Sequence, residues 1–340
     1  MGSSQTGGWK HTMTPACRRG KRHILIWLNP PIRAFSFDAG HLQSMKHALG
    51  SLSDHCTWEI VETEDAMLAA LQRAEFVVCW KFKTEWYRLA PQLRMLITPA
   101  AGRDWIDPPP SERDITVIHG TFHGLLMRET LLLMMLAFNS DFPTVLTHQQ
   151  NRLWERDFFS GHSRLAFQTV TFWGYGRIAG ACAHILTALG ARVIGVRRRP
   201  ETEFDPLGVR LITPDQLTDY LPQTDHLVSV LPGEPTNTNI IDARIFSQLK
   251  PQACFYNLGR GCVCDEQALL NSLDSGCLKG AGLDVFATEP LDPQSRLWDH
   301  PRVIIFPHAS AICRHYLDLF CQEFAEHLRT SLLEDKEVMP

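Results

Sequence analysis

The 340-residue sequence lacks a long apolar run, an excess of basic charge and cysteine pairs at metal-ligand spacing. No stretch reaches the roughly 18 uninterrupted apolar residues of a membrane span, because Arg128 and Glu129 interrupt the longest candidate. The net charge of −4 gives no basic field that would favour nucleic acid or a membrane surface. The ten cysteines lack CxxC spacing, and we interpret them as reduced thiols of a cytoplasmic protein. We therefore expect no metal, nucleic-acid or membrane partner.

The first 22 residues are rich in Gly, Ser and Thr, end in basic residues and contain no apolar core of a signal peptide. We expect them to be a disordered extension, with a weak organellar transit signal as the alternative. The remaining length is enough for two domains, each with its own core.

Short apolar runs alternate with helical stretches along the chain, which is typical of parallel sheets covered by helices. A long apolar helix is predicted over 123–139, and 142–163 reads as an irregular surface segment. The first unit has predicted strands at 23–28, 58–61, 76–80, 95–98 and 115–118. The second unit has predicted strands at 169–173, 192–196, 209–212, 226–230, 253–257, 280–284 and 303–306. Nearly all of the latter are apolar throughout, which favours a doubly wound sheet buried on both faces.

A glycine motif follows the first strand of the second unit and opens a helix. It reads Gly174, Tyr175, Gly176, Arg177, Ile178, with the small Ala179 in the third fingerprint position. Gly174 suits a tight turn, and Gly176 lets the backbone approach a pyrophosphate. The amides of the helix N-terminus then face the phosphates. This arrangement predicts a dinucleotide site.

The next strand ends in Arg197, Arg198 and Arg199, where an NAD-binding unit usually carries an acid. Guanidinium groups bind a 2′-phosphate with charge-assisted hydrogen bonds, whereas a carboxylate repels it. A solvated basic turn is the alternative interpretation. The position favours NADP(H) as the cofactor and leaves NAD(H) possible.

Three further motifs place charged side chains just after apolar runs, where ligands of open α/β sheets bind. Arg260 follows Asn257-Leu-Gly, Glu289 lies in Leu283-Asp-Val-Phe-Ala-Thr-Glu-Pro-Leu, and His308 lies in Pro307-His-Ala-Ser. A guanidinium matches a planar carboxylate, and an imidazole with an acidic partner can move a proton. These groups suit the reduction of a 2-keto acid.

Taken together, these motifs identify the chain as similar to the D-isomer-specific 2-hydroxyacid dehydrogenase family, and in particular to its glyoxylate/hydroxypyruvate reductase branch. The resemblance covers about residues 23 to 330. It implies two doubly wound parallel-sheet domains with a cleft between them: a Rossmann dinucleotide-binding domain over 121–309 and a flavodoxin-like substrate domain over 23–120 and 310–340. It also implies a homodimer formed through the long helix near the interdomain crossing.

The resemblance further implies the role of each site residue. Arg260 would bind the carboxylate and keto oxygen of a small 2-keto or 2-hydroxy acid, His308 would be the general acid and base, and Glu289 would orient it. The backbone of Ala101 and Gly102 would hold the substrate carboxylate, beside Arg260 and His308. Further cofactor contacts are assigned to Leu231, Pro232, Asn237, Leu258, Gly259, Asp284 and Ala309.

Two other functions remain open at this point. Some relatives with this fold are dinucleotide-sensing corepressors, and they can keep the same three charged residues. A phosphoglycerate dehydrogenase-like enzyme is the second alternative, although an acid after the second strand would be expected there. Formate dehydrogenases pair the histidine with glutamine, and Glu289 argues against them.

Overall fold

A computed structural model of the protein describes residues 21–30 and 32–337, with the side chains of 335–337 left out. Residues 1–20, which make up most of the predicted N-terminal extension, therefore lie outside the described residues. In the described part the chain forms two parallel sheets, as predicted. The first contains β1 (Arg22–Trp27), β2 (Cys56–Ile60), β3 (Phe76–Cys79), β4 (Met95–Thr98) and β5 (Thr116–His119). The second contains β6 (Thr169–Trp173), β7 (Arg192–Val196), β8 (Arg210–Ile212), β9 (His226–Ser229), β10 (Ala253–Asn257), β11 (Leu278–Leu283) and β12 (Val303–Ile305).

Helices cover both sheets. They are α1 (Ala39–Leu49), α2 (Glu64–Ala70), α3 (His123–Asn139), α4 (Phe142–Gln150), α5 (Arg177–Ala188), α6 (Leu217–Tyr220), α7 (Ala243–Gln248), α8 (Glu266–Asp274) and α9 (Tyr316–Glu337). Local hydrogen bonds fix where helices begin. At the start of α1 the Asp38 carboxylate accepts from the backbone N–H of His41 at 3.0 Å. Gly50, with φ of 59°, ends that helix.

The strand order of the first sheet is β2-β1-β3-β4-β5, which is the flavodoxin-like order. The second sheet has the order β12-β11-β10-β9-β6-β7-β8, which is the Rossmann order with one further strand. All strand pairs within both sheets are parallel. The carboxyl ends of the strands in each sheet therefore meet at one edge.

The last helix returns to the first sheet. Leu317, Phe320 and Phe324 of α9 are buried in one cluster with Ile24 and Val78 of β1 and β3. The chain thus begins and ends its described part on the first sheet, and the second sheet lies between. A separate apolar cluster covers the other face of the first sheet, and two more cover the faces of the second.

The expectation that 142–163 is irregular was wrong for its first part. Phe142–Gln150 forms α4, with Pro143 in its first turn, where the missing N–H removes no helical hydrogen bond. Among the described residues no single helix has the length and apolar composition to cross a membrane. Only α3 and α4 together pass that test, and they are bent by 62°. The nine cysteines in the described ranges are free thiols, and no group of three potential ligands there could hold a metal ion.

Candidate active site

The glycine turn between β6 and α5 leaves an open space beside Gly176, the groove of the glycine turn. Gly174 has φ of 99°, and a Cβ there would lie 2.7 Å from the carbonyl oxygen of Val230, so only glycine fits. Gly176 is the N-cap of α5 and supplies no side-chain cap. Apart from Gly176 itself and its two chain neighbours, no described residue places an atom within 4 Å of a Cβ built on Gly176. The first amides of α5, at Arg177 and Ile178, thus lie beside free space, which fits a pyrophosphate.

Tyr175 turns its side chain away from this groove. Its ring is buried against Gly195, where a Cβ would lie 2.5 Å from the ring carbon Cγ. Its hydroxyl donates to Oδ2 of Asp205 at 2.5 Å, and burial raises the pKa of the phenol. Asp205 could not be identified from the sequence. It lies nine positions after the end of β7, and only the fold brings it next to Tyr175. Any cofactor contact of Tyr175 is therefore one of its backbone.

The arginines after β7 are all exposed. The backbone N–H of Arg197 donates to the carbonyl of Ile212 at 2.9 Å. Both terminal nitrogens of Arg198 lie 3.2 Å from the carboxylate oxygens of Glu234. Strands β7 and β9 lie on either side of β6 in the sheet. The Arg198–Glu234 ion pair therefore joins the two loops that flank the glycine turn at the carboxyl ends of these strands. Glu234 is a second residue that the sequence did not single out.

The loops after β9 and β10 pack closely at the same edge. Leu231 and Leu258 are buried, whereas Pro232 is exposed and accepts from Nδ2 of Asn237 at 3.0 Å. A Cβ on Gly259 would lie 2.4 Å from the carbonyl oxygen of Leu231, so glycine permits this approach.

Asn257 shapes the turn that carries Arg260. Its Nδ2 donates to the Arg260 carbonyl at 3.1 Å, and its Oδ1 accepts from the Gly259 N–H at 3.2 Å. The asparagine is buried, so these bonds fix the turn. Arg260 therefore leaves the sheet edge in a defined direction.

The guanidinium of Arg260 reaches across to the loop after β4. Its Nε donates to Oδ2 of Asp104 at 3.1 Å and its Nη2 donates to Oδ1 at 2.8 Å. Its Nη1 donates to the carbonyl of Gly259 at 2.9 Å. Gly102 lies against the same group, since a Cβ there would be 1.8 Å from Nη2. The predicted substrate loop and the predicted substrate-binding arginine are thus in contact, and Asp104 was not foreseen.

The loop after β4 also presents backbone donors. In the described structure the N–H groups of Ala101 and Gly102 donate to no other residue, and both residues are half-buried. Unpaired amides at a partly enclosed position suit an anion. Arg103, the next residue, is exposed. Burial has the largest effect on the pKa of His119 and lowers it, and the positive charge of Arg103 lowers it further.

His308 and Glu289 form a hydrogen-bonded pair, with 2.8 Å between Nδ1 and Oε2. The other oxygen of Glu289 accepts from the N–H of Phe286 at 3.0 Å, which fixes the carboxylate. The hydrogen bond to Glu289 raises the pKa of His308 against the effect of burial. Burial raises the pKa of Glu289, but the bond with His308 reverses this and the pKa is lowered. The pair thus favours an imidazolium beside a carboxylate.

Asp284 holds the turn on which His308 sits. Its carboxylate is buried and accepts from the N–H groups of Ala309 and Ser310 at 2.8 and 2.9 Å, and from the Ser310 hydroxyl. Its backbone carbonyl accepts from the N–H of His308 at 2.8 Å. His308 has φ of 51°, an uncommon conformation for a residue with a side chain. Burial raises the pKa of Asp284, and these hydrogen bonds oppose the rise. Its predicted cofactor contact stays a prediction.

The charged groups of the three motifs act on one another. Burial opposes the change, but the hydrogen bond and charge of Arg260 lower the pKa of Asp104, with a smaller effect from His308. The charge of Arg260 also adds to the lowering of the pKa of Glu289 and offsets part of the rise in the pKa of His308. A guanidinium, an imidazole and an acid therefore converge at the facing edges of the two sheets, beside the groove of the glycine turn. The set can bind a small anion and exchange one proton with it.

Comparison with known proteins agrees with this fold. Residues 132–310 match the family described as D-isomer specific 2-hydroxyacid dehydrogenase, NAD binding domain. These residues are more than half of the chain, and the chain belongs to this family.

Three individual relatives have sequence identities to this chain between 25% and 32%. D-3-phosphoglycerate dehydrogenase of Mycobacterium bovis is 28% identical over 289 residues, which are 81% of this chain and 52% of the relative. Glyoxylate/hydroxypyruvate reductase A of Photorhabdus laumondii is 32% identical over 189 residues, which are 56% of this chain and 59% of the relative. The chain thus spans little more than half the length of these curated relatives. A D-isomer specific 2-hydroxyacid dehydrogenase from Xanthobacter autotrophicus Py2, solved in complex with NADPH and MES, is 25% identical with a TM-score of 0.73, covering 93% of this chain and 96% of that chain.

Proposed function

We propose that the protein reduces small 2-keto acids of the glyoxylate and hydroxypyruvate type to D-2-hydroxy acids with NADPH. The observation that carries the proposal is the convergence of Arg260 with the Glu289–His308 pair beside the glycine turn. Family membership supports the reaction class. The domains would be those of the predicted division, 23–120 with 310–340 and 121–309, and the compartment the cytoplasm.

Binding would begin with the carboxylate of the substrate. The amides of Ala101 and Gly102 and the free N–H donors of Arg260 would hold it, leaving the keto carbon toward the groove. A bound nicotinamide would supply the hydride. As the keto oxygen gains negative charge, Arg260 stabilises it more strongly than in the ground state.

His308 would deliver the proton. Nδ1 is engaged by Glu289, so Nε2 is the nitrogen that faces the substrate and donates to the developing alkoxide. The raised pKa favours the protonated ring, and in the reverse direction the neutral ring would act as the base.

NADP(H) is proposed as the favoured cofactor, with NAD(H) as the weaker one. Three exposed arginines after β7 would meet the 2′-phosphate, and the relative from Xanthobacter was solved with NADPH. The backbone of Gly174, Gly176, Arg177 and Ile178 would hold the pyrophosphate. Leu231, Pro232, Leu258 and Ala309 would line the groove at the sheet edge.

The experiment is a steady-state screen with purified protein, following oxidation of NADPH and NADH with glyoxylate, hydroxypyruvate, pyruvate and bulkier keto acids. Turnover of the two small acids, faster with NADPH, is the expected result. Dinucleotide binding without turnover of any keto acid would overturn the proposal and favour the corepressor-like alternative.

A phosphoglycerate dehydrogenase-like activity is the second candidate, because relatives with that name match 81% of this chain. Exposed Arg103, next to Gly102 on the substrate loop, is the feature that a phosphate group would use. Oxidation of 3-phosphoglycerate by the wild type, lost in Arg103→Ala, would favour this candidate. Equal glyoxylate turnover in both proteins, without phosphoglycerate oxidation, would remove it.

A homodimer through α3 and α4 is also proposed. The segment from α3 to residue 167 exposes large apolar side chains, of which Trp154 is 90% exposed. The others are Leu125, Leu133, Leu136, Phe142, Leu146, Leu153, Phe159 and Phe167. So many exposed large apolar side chains within one segment suit an interface. Sedimentation should give a dimer for the wild type and a monomer for Trp154→Lys, and a wild-type monomer would contradict the assignment.

A further inference from the structure

Asp104 occupies one edge of the Arg260 guanidinium. The two residues are 156 positions apart and come from the edges of different sheets. A guanidinium has five N–H donors: one on Nε and two on each terminal nitrogen. Two of them bond Asp104, and a third bonds the carbonyl of Gly259. One donor on Nη1 and one on Nη2 remain.

The Asp104–Arg260 ion pair makes only a small contribution to folding stability. The side chain of Asp104 is 53% exposed and that of Arg260 is 23% exposed. An ion pair so open to water contributes little to folding. Its larger effect is on orientation, because an unrestrained arginine side chain loses rotamer freedom when it binds a ligand.

The surrounding backbone leaves the guanidinium little room to move. A Cβ on Gly102 would be 1.8 Å from Nη2 and 2.6 Å from Oδ1 of Asp104. A Cβ on Gly233 would lie 3.2 Å from Cγ of Arg260, so the stem is confined from the other side. Loop and arginine therefore form one packed unit that joins the two sheets.

We propose that Asp104 is a positioning residue that fixes Arg260, so that its two remaining N–H donors face the keto acid. This inference depends on the proposed function and adds to it. Asp104 does not touch the substrate. It acts through the arginine, setting in advance a geometry that the substrate would otherwise have to impose. A competing role, in which Asp104 blocks the arginine until a substrate carboxylate displaces it, predicts the opposite effect on affinity.

The test is a double-mutant cycle with Asp104→Ala, Arg260→Ala and the double variant, measuring kcat and KM for glyoxylate at saturating NADPH. In the wild-type background Asp104→Ala should lower kcat/KM by about 10- to 100-fold, with a loss in kcat as well as a rise in KM. In the Arg260→Ala background the same change should have less than about a twofold effect. Asp104→Asn retains one oxygen acceptor and should fall between Asp104→Ala and the wild type.

Two controls complete the design. Asp114→Ala removes an exposed acid from the same β4–β5 connection and should keep wild-type kinetics. The affinity of the NADPH complex for oxamate, a keto-acid analogue, gives a second readout if Arg260→Ala is too slow to assay, and the same non-additivity is expected there.

Equal losses in both backgrounds would assign Asp104 a purely structural role and overturn the proposal. A higher affinity for glyoxylate or oxamate in Asp104→Ala would overturn it in favour of the blocking role. If the wild type reduces no keto acid, the proposed function fails, whereas the oxamate cycle still decides whether Asp104 acts through Arg260.

Discussion

Replacement of Glu289 by Gln should move the pH dependence of keto-acid reduction to lower pH. The hydrogen bond from His308 to Glu289 is the main reason that the pKa of the histidine is raised. Gln keeps the size of the side chain and an oxygen that can accept from the N–H of Phe286, but it removes the negative charge. With that oxygen on Phe286, the Gln amide nitrogen faces Nδ1 of His308, so the substitution removes both the negative charge and the acceptor that hold the imidazolium.

The sign follows from the protonation state that reduction requires. His308 must carry the proton, so kcat/KM is highest below its pKa and falls as the pH rises through it. The wild-type fall should lie above the ordinary range of a histidine, and Glu289→Gln should bring it down. A second effect is loss of orientation of the ring, which lowers the rate even at the pH optimum.

The size of that loss follows from the exposure of the pair. A hydrogen bond between charged groups contributes about 1.5–3 kcal/mol, which corresponds to about 10- to 150-fold in rate. The side chains of His308 and Glu289 are 43% and 36% exposed, so water screens their attraction. We therefore expect the lower limit, about tenfold.

The assay is kcat/KM for glyoxylate with NADPH across the pH range in which both proteins stay folded. Thermal unfolding of the variant should match the wild type, because the pair is half exposed. A pH profile that coincides with the wild type would refute the role of Glu289, even if the absolute rate fell.

Three further changes test the other parts of the site. Arg260→Lys keeps the charge but cannot bond both oxygens of Asp104 and the substrate together, so kcat/KM should fall by about 10²-fold or more; a near-wild-type rate would remove Arg260 from the mechanism. Arg197→Asp should shift the ratio of kcat/KM for NADPH and NADH toward NADH, and an unchanged ratio would contradict the 2′-phosphate assignment. Glu234→Gln frees Arg198 from its ion pair and should tighten NADPH by up to about fivefold, the equivalent of a surface pair of about 1 kcal/mol, without changing NADH. Equal changes for both cofactors in a titration would argue against that role.

The fold was predictable because its strands are buried on both faces. The predicted strands 169–173, 192–196 and 253–257 agree with the structure to the residue, as does the helix 123–139. Such runs are mostly apolar and bounded by polar turns, so their ends are visible in the sequence. Helix α4 was missed since its polar and aromatic residues cover no core, and none of its side chains is buried.

Residues of the candidate site could be identified from the sequence where a single motif directly follows a single strand. The position of Glu289 beside His308 agrees with the prediction, because both motifs follow neighbouring strands of one sheet. Asp104 and Glu234 were not foreseen. Each meets its arginine only through the packing of distant segments, and no local pattern marks an exposed acid as the partner of one particular guanidinium.

The most direct test of the site is a crystal structure of the protein with NADPH and oxamate. The cofactor pyrophosphate should lie at the N-terminus of α5 and the oxamate carboxylate at the amides of Ala101 and Gly102. The oxamate carbonyl should lie within about 3.2 Å of both an Arg260 N–H nitrogen and Nε2 of His308. Oxamate bound away from these two side chains, or a dinucleotide bound outside the groove of the glycine turn, would contradict the proposed site.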